Sequence, residues 1–381
     1  MTDFSFFNPT RVLFGRDKWR LIATESRALG IHKAMLLYGQ GSVERSGLLH
    51  NVQQLLEEAG IEVLPVGGVK PNPIYEHALE AIKLAKEANI DAIIALGGGS
   101  VMDEAKGIAV GALDEGELWD FYERSRTVTR ALPVITIPTL AATGSEMNGN
   151  SVLTRGEHKY NFSSIHVYPK LSLLSPELTM TISLKQQAYA AVDAISHIIE
   201  GYFTKQSPNF LMDELCEATI VSIMRATEEI LANPTNYEPR AQFMWAATLA
   251  LNGILQSGLD RFTFPNHALE LPLSALFDIP HGAGLAIVIP AWMKWHWPQN
   301  PEQYSRFGRR LFGVDAPKKV IEALEEWFAK IGAPTRLTHV GITHNDLPKL
   351  AHLAYDLAKL RGGMQTTYTP EVCLSILERA L

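Results

Sequence analysis

Cysteine is scarce in this chain of 381 residues, which contains only Cys216 and Cys373. Both lie in apolar segments with helical periodicity, so we expect reduced thiols in a packed core and no disulfide framework. No apolar run is as long as a transmembrane helix requires, which is about 18 residues or more. The first residues also lack the basic and apolar regions of a secretory signal. We therefore expect a cytoplasmic protein with no membrane partner.

An excess of basic charge is also absent. Lys and Arg number 34 against 41 Asp and Glu, and the formal net charge is −7. We expect no nucleic-acid partner, because a phosphate backbone selects basic surfaces. Hydrophobic residues make up 46% and charged residues 20% of the chain, which excludes a mainly disordered protein. The length predicts two or three domains, and no internal repeat is visible.

The first half of the chain alternates short apolar runs with segments of helical periodicity. The strand-like runs are Lys33–Tyr38, Ile61–Val66, Asp91–Leu96 and Leu132–Ile137, and the helical segments are Val43–Ala59, Ile74–Ala88 and Val101–Val110. This alternation is typical of βαβ units. Residues 1–178 are therefore predicted to form an α/β domain around a parallel sheet, which binds its ligand at the carboxyl ends of the strands.

The second half has a different pattern, because strand-like runs disappear from about Ser183. The helical segments there are Leu184–Tyr202, Asn209–Leu231, Ala241–Leu255, Pro317–Ile331 and Asn345–Lys359. Residues 179–381 are therefore predicted to form an all-α domain.

Three loops rich in glycine and small polar residues follow predicted strands. Gly97–Ser100 lies between a strand and a helix, where glycines let a phosphate approach the helix N-terminus. Its spacing differs from G-x-G-x-x-G, and Ser100 would also serve as an ordinary N-cap. The segments Gly39-Gln40-Gly41-Ser42 and Pro138–Glu146 end two further strands. Three such loops at neighbouring strand ends favour a single nucleotide site over unrelated turns.

Gly39 bears on the choice of nucleotide. An acidic residue at the end of a strand in such a site binds the ribose hydroxyls and repels a 2′-phosphate. Gly39 has no such side chain, and Ser42 with the backbone of Gln40 and Gly41 could accept a phosphate. The sequence favours NADP(H) over NAD(H), although glycines also make simple tight turns.

One aspartate and three histidines form a candidate metal site. Asp193 and His197 are four residues apart, on one face of a predicted helix. His267 and His281 lie in other apolar segments, where an unpartnered imidazole is costly. One carboxylate and three imidazoles suit Fe²⁺ or Zn²⁺. The spacing alone leaves open a hydrogen-bonded Asp–His couple.

The chain resembles the iron-containing (group III) alcohol dehydrogenase family, and most closely its branch of butanol dehydrogenases and NADPH-dependent aldehyde reductases. The motifs that carry the resemblance are Asn8–Gly15, Pro71–Pro73, Gly97–Asp103, Thr143–Glu146, the helix with Asp193 and His197, His267–Glu270 and Pro280–Gly282. They extend over nearly the whole chain. The resemblance implies a dehydroquinate-synthase-like fold with a nucleotide-binding α/β domain, a metal-binding helical domain and an active site in the cleft between them.

The resemblance also assigns residues and a reaction. The implied metal ligands are Asp193, His197, His267 and His281. The implied nucleotide contacts are Gly39, Gln40, Gly41, Ser42, Asn72, Gly98, Gly99, Ser100, Asp103, Thr139, Leu140, Thr143, Asn148 and Lys159. The implied reaction is hydride transfer between NADP(H) and a small alcohol or aldehyde at the divalent ion. Relatives commonly form homodimers through an edge strand near the N-terminus, and we expect the same here.

Two positions depart from the family pattern. Leu271 stands where many relatives have a second histidine four residues after the first ligand of that helix, which puts the proton relay in doubt. Leu140 replaces a second threonine in the nucleotide loop. The alternatives are a glycerol- or polyol-type dehydrogenase, a phosphate-eliminating synthase and a catalytically silent metal- and nucleotide-binding module.

Three aromatic residues near the expected cleft favour a small apolar substrate. Phe262, Phe264 and Trp245 lie in or near the helical segments of the second half. Each could instead be an ordinary core residue.

Overall fold

The computed structural model describes all 381 residues as two compact units. The α/β unit comprises residues 7–182 and 235–248. The helical unit comprises residues 1–6, 183–234 and 249–381. Three segments therefore differ from a simple division at residue 178: the first six residues belong to the helical unit, and residues 179–182 and 235–248 belong to the α/β unit. None of the helices combines the length and apolar character that crossing a bilayer requires.

The strands form one six-stranded sheet and one hairpin. They are β1 (Arg11–Phe14), β2 (Lys33–Gly39), β3 (Glu62–Val69), β4 (Ala92–Gly97), β5 (Val134–Pro138), β6 (Asn150–Arg155), β7 (His158–Ser163) and β8 (Leu171–Leu174). The sheet has the order β1-β8-β5-β4-β2-β3 and all its pairs are parallel. Strands β6 and β7 pair antiparallel. The predicted parallel sheet is confirmed.

Alternating side chains of the central strands supply two hydrophobic cores, one on each face of the sheet. Met35, Leu37 and Ile93 belong to one core, whereas Leu36 and Ile94 belong to the other. This follows from the two-residue period of a strand. Because both faces are covered by helices, β4 and the centre of β2 (Ala34–Leu37) are continuously apolar and not alternately polar.

Fifteen α-helices complete the fold. They are α1 (Ile22–Ala28), α2 (Ser42–Arg45), α3 (Leu48–Glu58), α4 (Tyr75–Glu87), α5 (Gly99–Gly111), α6 (Trp119–Tyr122), α7 (Leu184–Thr204), α8 (Phe210–Ala232), α9 (Tyr237–Ala250), α10 (Pro265–Phe277), α11 (His281–His296), α12 (Pro301–Leu311), α13 (Pro317–Lys330), α14 (Leu347–Arg361) and α15 (Pro370–Glu378). Short 3₁₀ turns cover Lys18–Leu21, Ser145–Met147, Ile165–Val167, Pro176–Thr179, Trp297–Gln299, Leu337–Val340 and His344–Asp346.

The predicted helix Val43–Ala59 is divided in two. Gly47 has φ 75° and lies between α2 and α3. A left-handed backbone at this position ends the first helix and is accessible to glycine at little steric cost. The division leaves α2 as a single turn that begins at Ser42, the last residue of the Gly39–Ser42 segment.

Helix α7 forms the centre of the helical unit. Its N-terminus carries a capping box, in which the Ser183 side chain accepts from the backbone of Gln186 and the Gln186 side chain accepts from the backbone of Ser183. From Ala190 to Thr204 every residue is buried. A helix that is buried on all sides can hold charged side chains only where those side chains find partners.

Candidate metal centre and nucleotide site

Helix α7 places Asp193 and His197 on one face. The side chains are one turn apart, and His197 Nε2 lies 3.5 Å from Asp193 Oδ1. Both residues are about 4% exposed. Burial lowers the pKa of His197, although the Asp193 carboxylate opposes this effect. The imidazole is therefore neutral, which is the form that binds a metal ion.

Helices α10 and α11 bring the other two histidines to the same place. His267 is in the first turn of α10, and its ring stacks on that of His197 with centroids 5.0 Å apart. His281 begins α11, and its Nε2 lies 3.8 Å from Asp193 Oδ1. Ligand atoms of Asp193, His197 and His267 all lie within 4.8 Å of one another. The structure thus gathers the four residues that the sequence singled out.

Two buried glutamates orient two of these histidines. Glu200 Oε1 accepts from the backbone N–H of His267 at 3.0 Å and lies 2.9 Å from its Nδ1. Glu270 Oε2 contacts Nδ1 of His281, and Ser274 donates to its other oxygen. Each contact occupies Nδ1 and leaves Nε2 as the ligand atom, as in the carboxylate–histidine pairs that support metal sites.

The two glutamates were not identified as functional residues from the sequence. A signal for them is present, since Glu200 follows Asp193 by seven residues and Glu270 follows His267 by three. Both are carboxylates on faces that already carry a proposed ligand, within otherwise apolar segments. Both are fully buried, and burial raises the pKa of Glu200 to about 8. A nearby cation would favour its ionised form.

Glycines explain how α11 approaches the site. A Cβ atom on Gly282 would overlap the backbone carbonyl of Tyr189 on α7. A Cβ atom on Gly284 would lie 2.6 Å from Oε1 of Glu270. Both glycines of the segment that follows His281 are therefore required by close contacts, the first with a neighbouring helix and the second with an orienting carboxylate.

The donor set fits a divalent metal ion. Asp193 Oδ1, which faces Nε2 of His197 and Nε2 of His281, is a buried side-chain atom with no hydrogen-bond partner. Buried polar atoms without a partner are costly, and coordination removes that cost. One carboxylate with three imidazoles suits a borderline ion such as Fe²⁺ or Zn²⁺ better than Mg²⁺ or Ca²⁺.

In the α/β unit, the glycine loop lies at the N-terminus of α5. Gly98 is the N-cap and Ser100 is in the first turn, so Ser100 does not serve as the cap. A Cβ on Gly98 would contact Leu140, and one on Gly99 would overlap Thr143. Thr139 donates its backbone N–H to Gly97 O at 3.0 Å. Two of the three predicted loops therefore meet at this helix N-terminus, which carries partial positive charge.

The third predicted loop lies at the end of the neighbouring strand. Strand β2 pairs with β4, and Gly39 lies beside Val101 of α5. Gly41 has φ 87° and is the N-cap of α2, which begins at Ser42. The side chains of Glu44 and Arg45 lie beside Gly41. The Gly39–Ser42 segment thus ends in a turn with both an acid and a base next to it.

Asn72 and Lys159 form a contact between two other segments of this unit. Lys159 Nζ donates to Asn72 Oδ1 at 2.7 Å. Asn72 has φ 56°, a conformation that asparagine tolerates better than most residues. The lysine is 5% exposed and belongs to β7. Its side chain is therefore buried, although a lysine in a hairpin is commonly exposed to solvent.

Asp103 and Asn148 belong to a buried polar network. Ser145 Oγ donates to Asp103 Oδ1 at 2.5 Å, and Lys106 Nζ donates to Asn148 Oδ1 at 3.1 Å. Burial raises the pKa of Asp103 to about 6 and lowers the pKa of Lys106 to about 8. These residues connect α5 with the loop that follows β5.

The aromatic residues named from the sequence lie in different units. Phe264 packs edge-on against His267 with centroids 5.6 Å apart, and Phe262 packs against Phe264. Both phenylalanines are half-buried. Trp245 instead packs on Phe14 in the α/β unit. Leu271 is 3% exposed on α10.

Comparison with known proteins gives matches over most of the chain. Residues 9–176 match the family model described as iron-containing alcohol dehydrogenase. Residues 187–381 match the model of the C-terminal part of the Fe-containing alcohol dehydrogenase family.

Individual relatives also match over essentially their full length. The chain is 36% identical to a protein of Bacillus subtilis named probable NADH-dependent butanol dehydrogenase 1, over 100% of both chains. It is 31% identical to the NADPH-dependent aldehyde reductase YqhD of Escherichia coli, again over 100% of both chains. The crystal structure of an NADH-dependent butanol dehydrogenase A from Thermotoga maritima has a TM-score of 0.97 and 41% identity, covering 100% of this chain and 99% of that one. The chain therefore belongs to the iron-containing alcohol dehydrogenase family and is an oxidoreductase.

Proposed function

We propose that this protein is a metal-dependent, NADP(H)-linked alcohol dehydrogenase and aldehyde reductase for small aliphatic substrates. The observation that carries the proposal is the cluster of Asp193, His197 and His267 with His281 beside it. Four ligands of this kind leave a divalent ion with net positive charge. When bound, the ion supplies a Lewis acid and the nicotinamide nucleotide supplies the redox chemistry.

The residues of the chain hold and orient these groups. Asp193, His197, His267 and His281 would be the ligands. Glu200 and Glu270 would fix two imidazole rings with Nε2 towards the ion, since each carboxylate occupies Nδ1. With Leu271 in place of a histidine, that position has no imidazole to move a proton, so solvent or the nucleotide's ribose hydroxyls would carry it.

The nucleotide would bind to the α/β unit at the loops around the N-terminus of α5. Gly98 and Gly99 carry no side chain that would cover the backbone N–H groups of this turn, and no carboxylate stands at Gly39. Arg45 lies beside Gly41, as Glu44 does, and could pair with a 2′-phosphate. These features favour NADP(H). Relatives are named both as NADH-dependent and as NADPH-dependent enzymes, so the family does not decide the preference.

The surroundings of the metal ligands favour a small apolar substrate. Phe264 is half-buried beside His267 with the half-buried Phe262 packed on it, and Leu271 adds a further apolar side chain to α10. We propose short aliphatic aldehydes and alcohols as substrates, Fe²⁺ or Zn²⁺ as the ion, a homodimer as the assembly and a cytoplasmic location.

One set of assays tests the function. The protein is stripped with a chelator and then supplied with Fe²⁺, Zn²⁺ or no metal, and NADPH oxidation is followed with butanal. We expect activity to return with one metal and to be higher with NADPH than with NADH. Parallel assays use glycerol with NADP⁺ and butanol with NADP⁺.

The alternatives give different results in the same assays. Faster turnover of glycerol than of butanol would identify a polyol-type dehydrogenase. Tight binding of NADPH without oxidation by any aldehyde of a panel would identify a silent binding module. A higher kcat/KM with NADH than with NADPH would overturn the coenzyme assignment alone.

A further inference from the structure

The ammonium group of Lys106 lies at the centre of a buried hydrogen-bond network that connects α5 with residues 145–150. The side chain has no exposed surface. Its Nζ donates to Ser145 O at 2.8 Å, Ser145 Oγ at 2.7 Å, Asn148 Oδ1 at 3.1 Å and Asn150 O at 2.8 Å. An ammonium has three N–H donors, so this set uses all of them. The charge of Lys106 therefore attaches residues 145–150 to α5 through both side-chain and backbone oxygens.

This charge decides how the Asn148 amide points. A cation attracts the amide oxygen and repels the N–H₂ group, and Oδ1 also accepts from the backbone N–H of Asn150 at 3.0 Å. The Nδ2 group must then face the other way, where one of its two N–H groups donates to Thr143 O at 3.3 Å. Without the charge of Lys106, the free-energy cost of the opposite orientation of the Asn148 amide would be much smaller.

The Ser145 hydroxyl is oriented in the same manner. It accepts from Lys106 and therefore directs its own hydrogen to Asp103 Oδ1 at 2.5 Å. Lys106 thus controls the donor direction of two buried side chains, Ser145 and Asn148, in the segment that follows β5.

We propose that Lys106 is a positioning residue for the nicotinamide nucleotide, acting through the orientation of the Asn148 amide and the Ser145 hydroxyl. This inference rests on the proposed function, with Asn148 and Thr143 among the nucleotide contacts that the family resemblance implies. Lys106 is fully buried and does not touch the nucleotide itself. The second N–H of Asn148 is the donor that it presents, and an oxygen of the nucleotide is the acceptor.

The charges around Lys106 add a pH dependence. Asp103 on α5 and Glu146 in the 3₁₀ turn face the ammonium, while Lys159 on β7 and Tyr122 on α6 face Asp103. Burial lowers the pKa of Lys106 to about 8 in spite of both carboxylates. When the proton leaves, the preference for an inward amide oxygen weakens. The Kd of the nucleotide should therefore rise as the pH increases through about 8.

The experiment measures nucleotide binding without turnover. The metal-stripped full-length protein is titrated with NADPH and with NADH, and ligand fluorescence gives the Kd. Lys106→Met should raise the Kd about tenfold or more, equivalent to about 1.4 kcal/mol, and should abolish the pH dependence above about 8. Asn148→Asp, which keeps an oxygen towards Lys106 but loses the donor, should weaken binding to a similar extent. Ser145→Ala should have a smaller effect in the same direction.

Controls separate this role from simple stability. Lys83→Met removes an exposed lysine of α4 that pairs only loosely with Glu87 and should leave the Kd and its pH profile unchanged. If Lys106→Met does not fold, the positioning role is tested by the Kd of Asn148→Asp, and its pH dependence by the pH profile of the wild-type Kd. An unchanged Kd in Lys106→Met or in Asn148→Asp overturns the positioning role, and a wild-type Kd that is flat between about pH 7 and pH 9 overturns the pH dependence. A wild type that binds neither nucleotide overturns the proposed function itself, and the positioning role with it.

Discussion

At the candidate metal centre, His267 contributes more contacts than any other proposed ligand. It stacks on His197, packs against Phe264 and is held by Glu200 through both its backbone and its ring. Replacement of this residue would remove a proposed ligand and leave the α/β unit unchanged. We therefore expect one substitution to separate metal binding from nucleotide binding.

We expect His267→Ala to abolish turnover by losing the metal while NADPH still binds. Metal content is measured by elemental analysis, and NADPH binding by fluorescence titration. His352→Ala, at an exposed position of α14, serves as the control and should retain both metal and turnover. Retained metal with near-normal turnover in His267→Ala would contradict the assignment of this ligand.

Glu200→Gln tests the orienting carboxylate. The substitution keeps the shape and an acceptor oxygen for the His267 N–H but removes the negative charge that strengthens the imidazole as a ligand. We expect metal affinity to fall by about 10- to 100-fold, measured by competition with a chelator. Glu326→Gln, exposed on α13, should have no effect. Equal metal affinities of Glu200→Gln and Glu326→Gln would show that Glu200 contributes packing and that its charge does not strengthen metal binding.

The candidate site shows which pairs of residues can be recognised from the sequence and which depend on the packing of the helices. Asp193 and His197 could be paired because a helix repeats every 3.6 residues, and this spacing needs no tertiary information. Glu200 and Glu270 could not be assigned to individual histidines in this way. Their partners are 67 and 11 residues away, so the pairing exists only once α7, α10 and α11 are packed.

At the scale of elements, the approach of α11 to α7 decides where His281 lies. His281 is the first residue of α11, and Gly282 lies against the backbone of Tyr189, one turn before Asp193. The separation of these two helices therefore sets the separation of two proposed ligands.

Gly282→Ala should push the helices apart and weaken the site. The new Cβ would overlap a backbone carbonyl that cannot move as a flexible side chain does, so we expect a loss of about 1–3 kcal/mol in the free energy of unfolding and weaker metal binding. Denaturant unfolding and chelator competition measure the two effects. Gly30→Ala adds a Cβ at φ 76° but in open space. This control should lose stability through backbone strain while metal affinity stays normal.

The elements that were predicted from the sequence are those with a strong period or a clear boundary. The apolar runs of β2, β4 and β5 and the capped helix α7 are examples. Strands β1 and β8 have four residues each, too few for a period, and they are defined mainly by pairing with each other. The interruption between α2 and α3 depends on the backbone of Gly47, whose φ of 75° no hydrophobic pattern reveals.

At the scale of the whole molecule, the order of the chain does not follow the two units. Residues 235–248 lie within the helical half of the sequence but belong to the α/β unit. Thr248 Oγ1 donates to the buried Glu146 at 2.5 Å, and Arg16 lies over the ring of Tyr237. Such contacts join segments more than 100 residues apart. The helical period of α9 predicts its secondary structure and gives no indication of which unit it joins.

Stability of the whole protein should depend on pH through the buried His296. Its ring stacks on Trp292 with centroids 4.5 Å apart, and Nδ1 lies 3.1 Å from the Tyr304 hydroxyl. Burial lowers the pKa of His296 to about 4, against 6.5 in the unfolded chain. Between these values the unfolded chain binds more protons, so the free energy of unfolding decreases as the pH falls.

The full difference of pKa corresponds to about 3 kcal/mol, of which about 2 kcal/mol is lost between about pH 7 and pH 5. Denaturant unfolding of the metal-free protein at both pH values measures this loss, since metal release would otherwise add its own pH dependence. His296→Gln stays neutral and should lose about 2 kcal/mol less than the wild type over the same interval. His352→Gln replaces an exposed side chain of α14 and should behave as the wild type does. Identical losses in all three proteins would mean that the folded protein admits a charged His296, and that the packing of α11 against α12 is looser than its burial indicates.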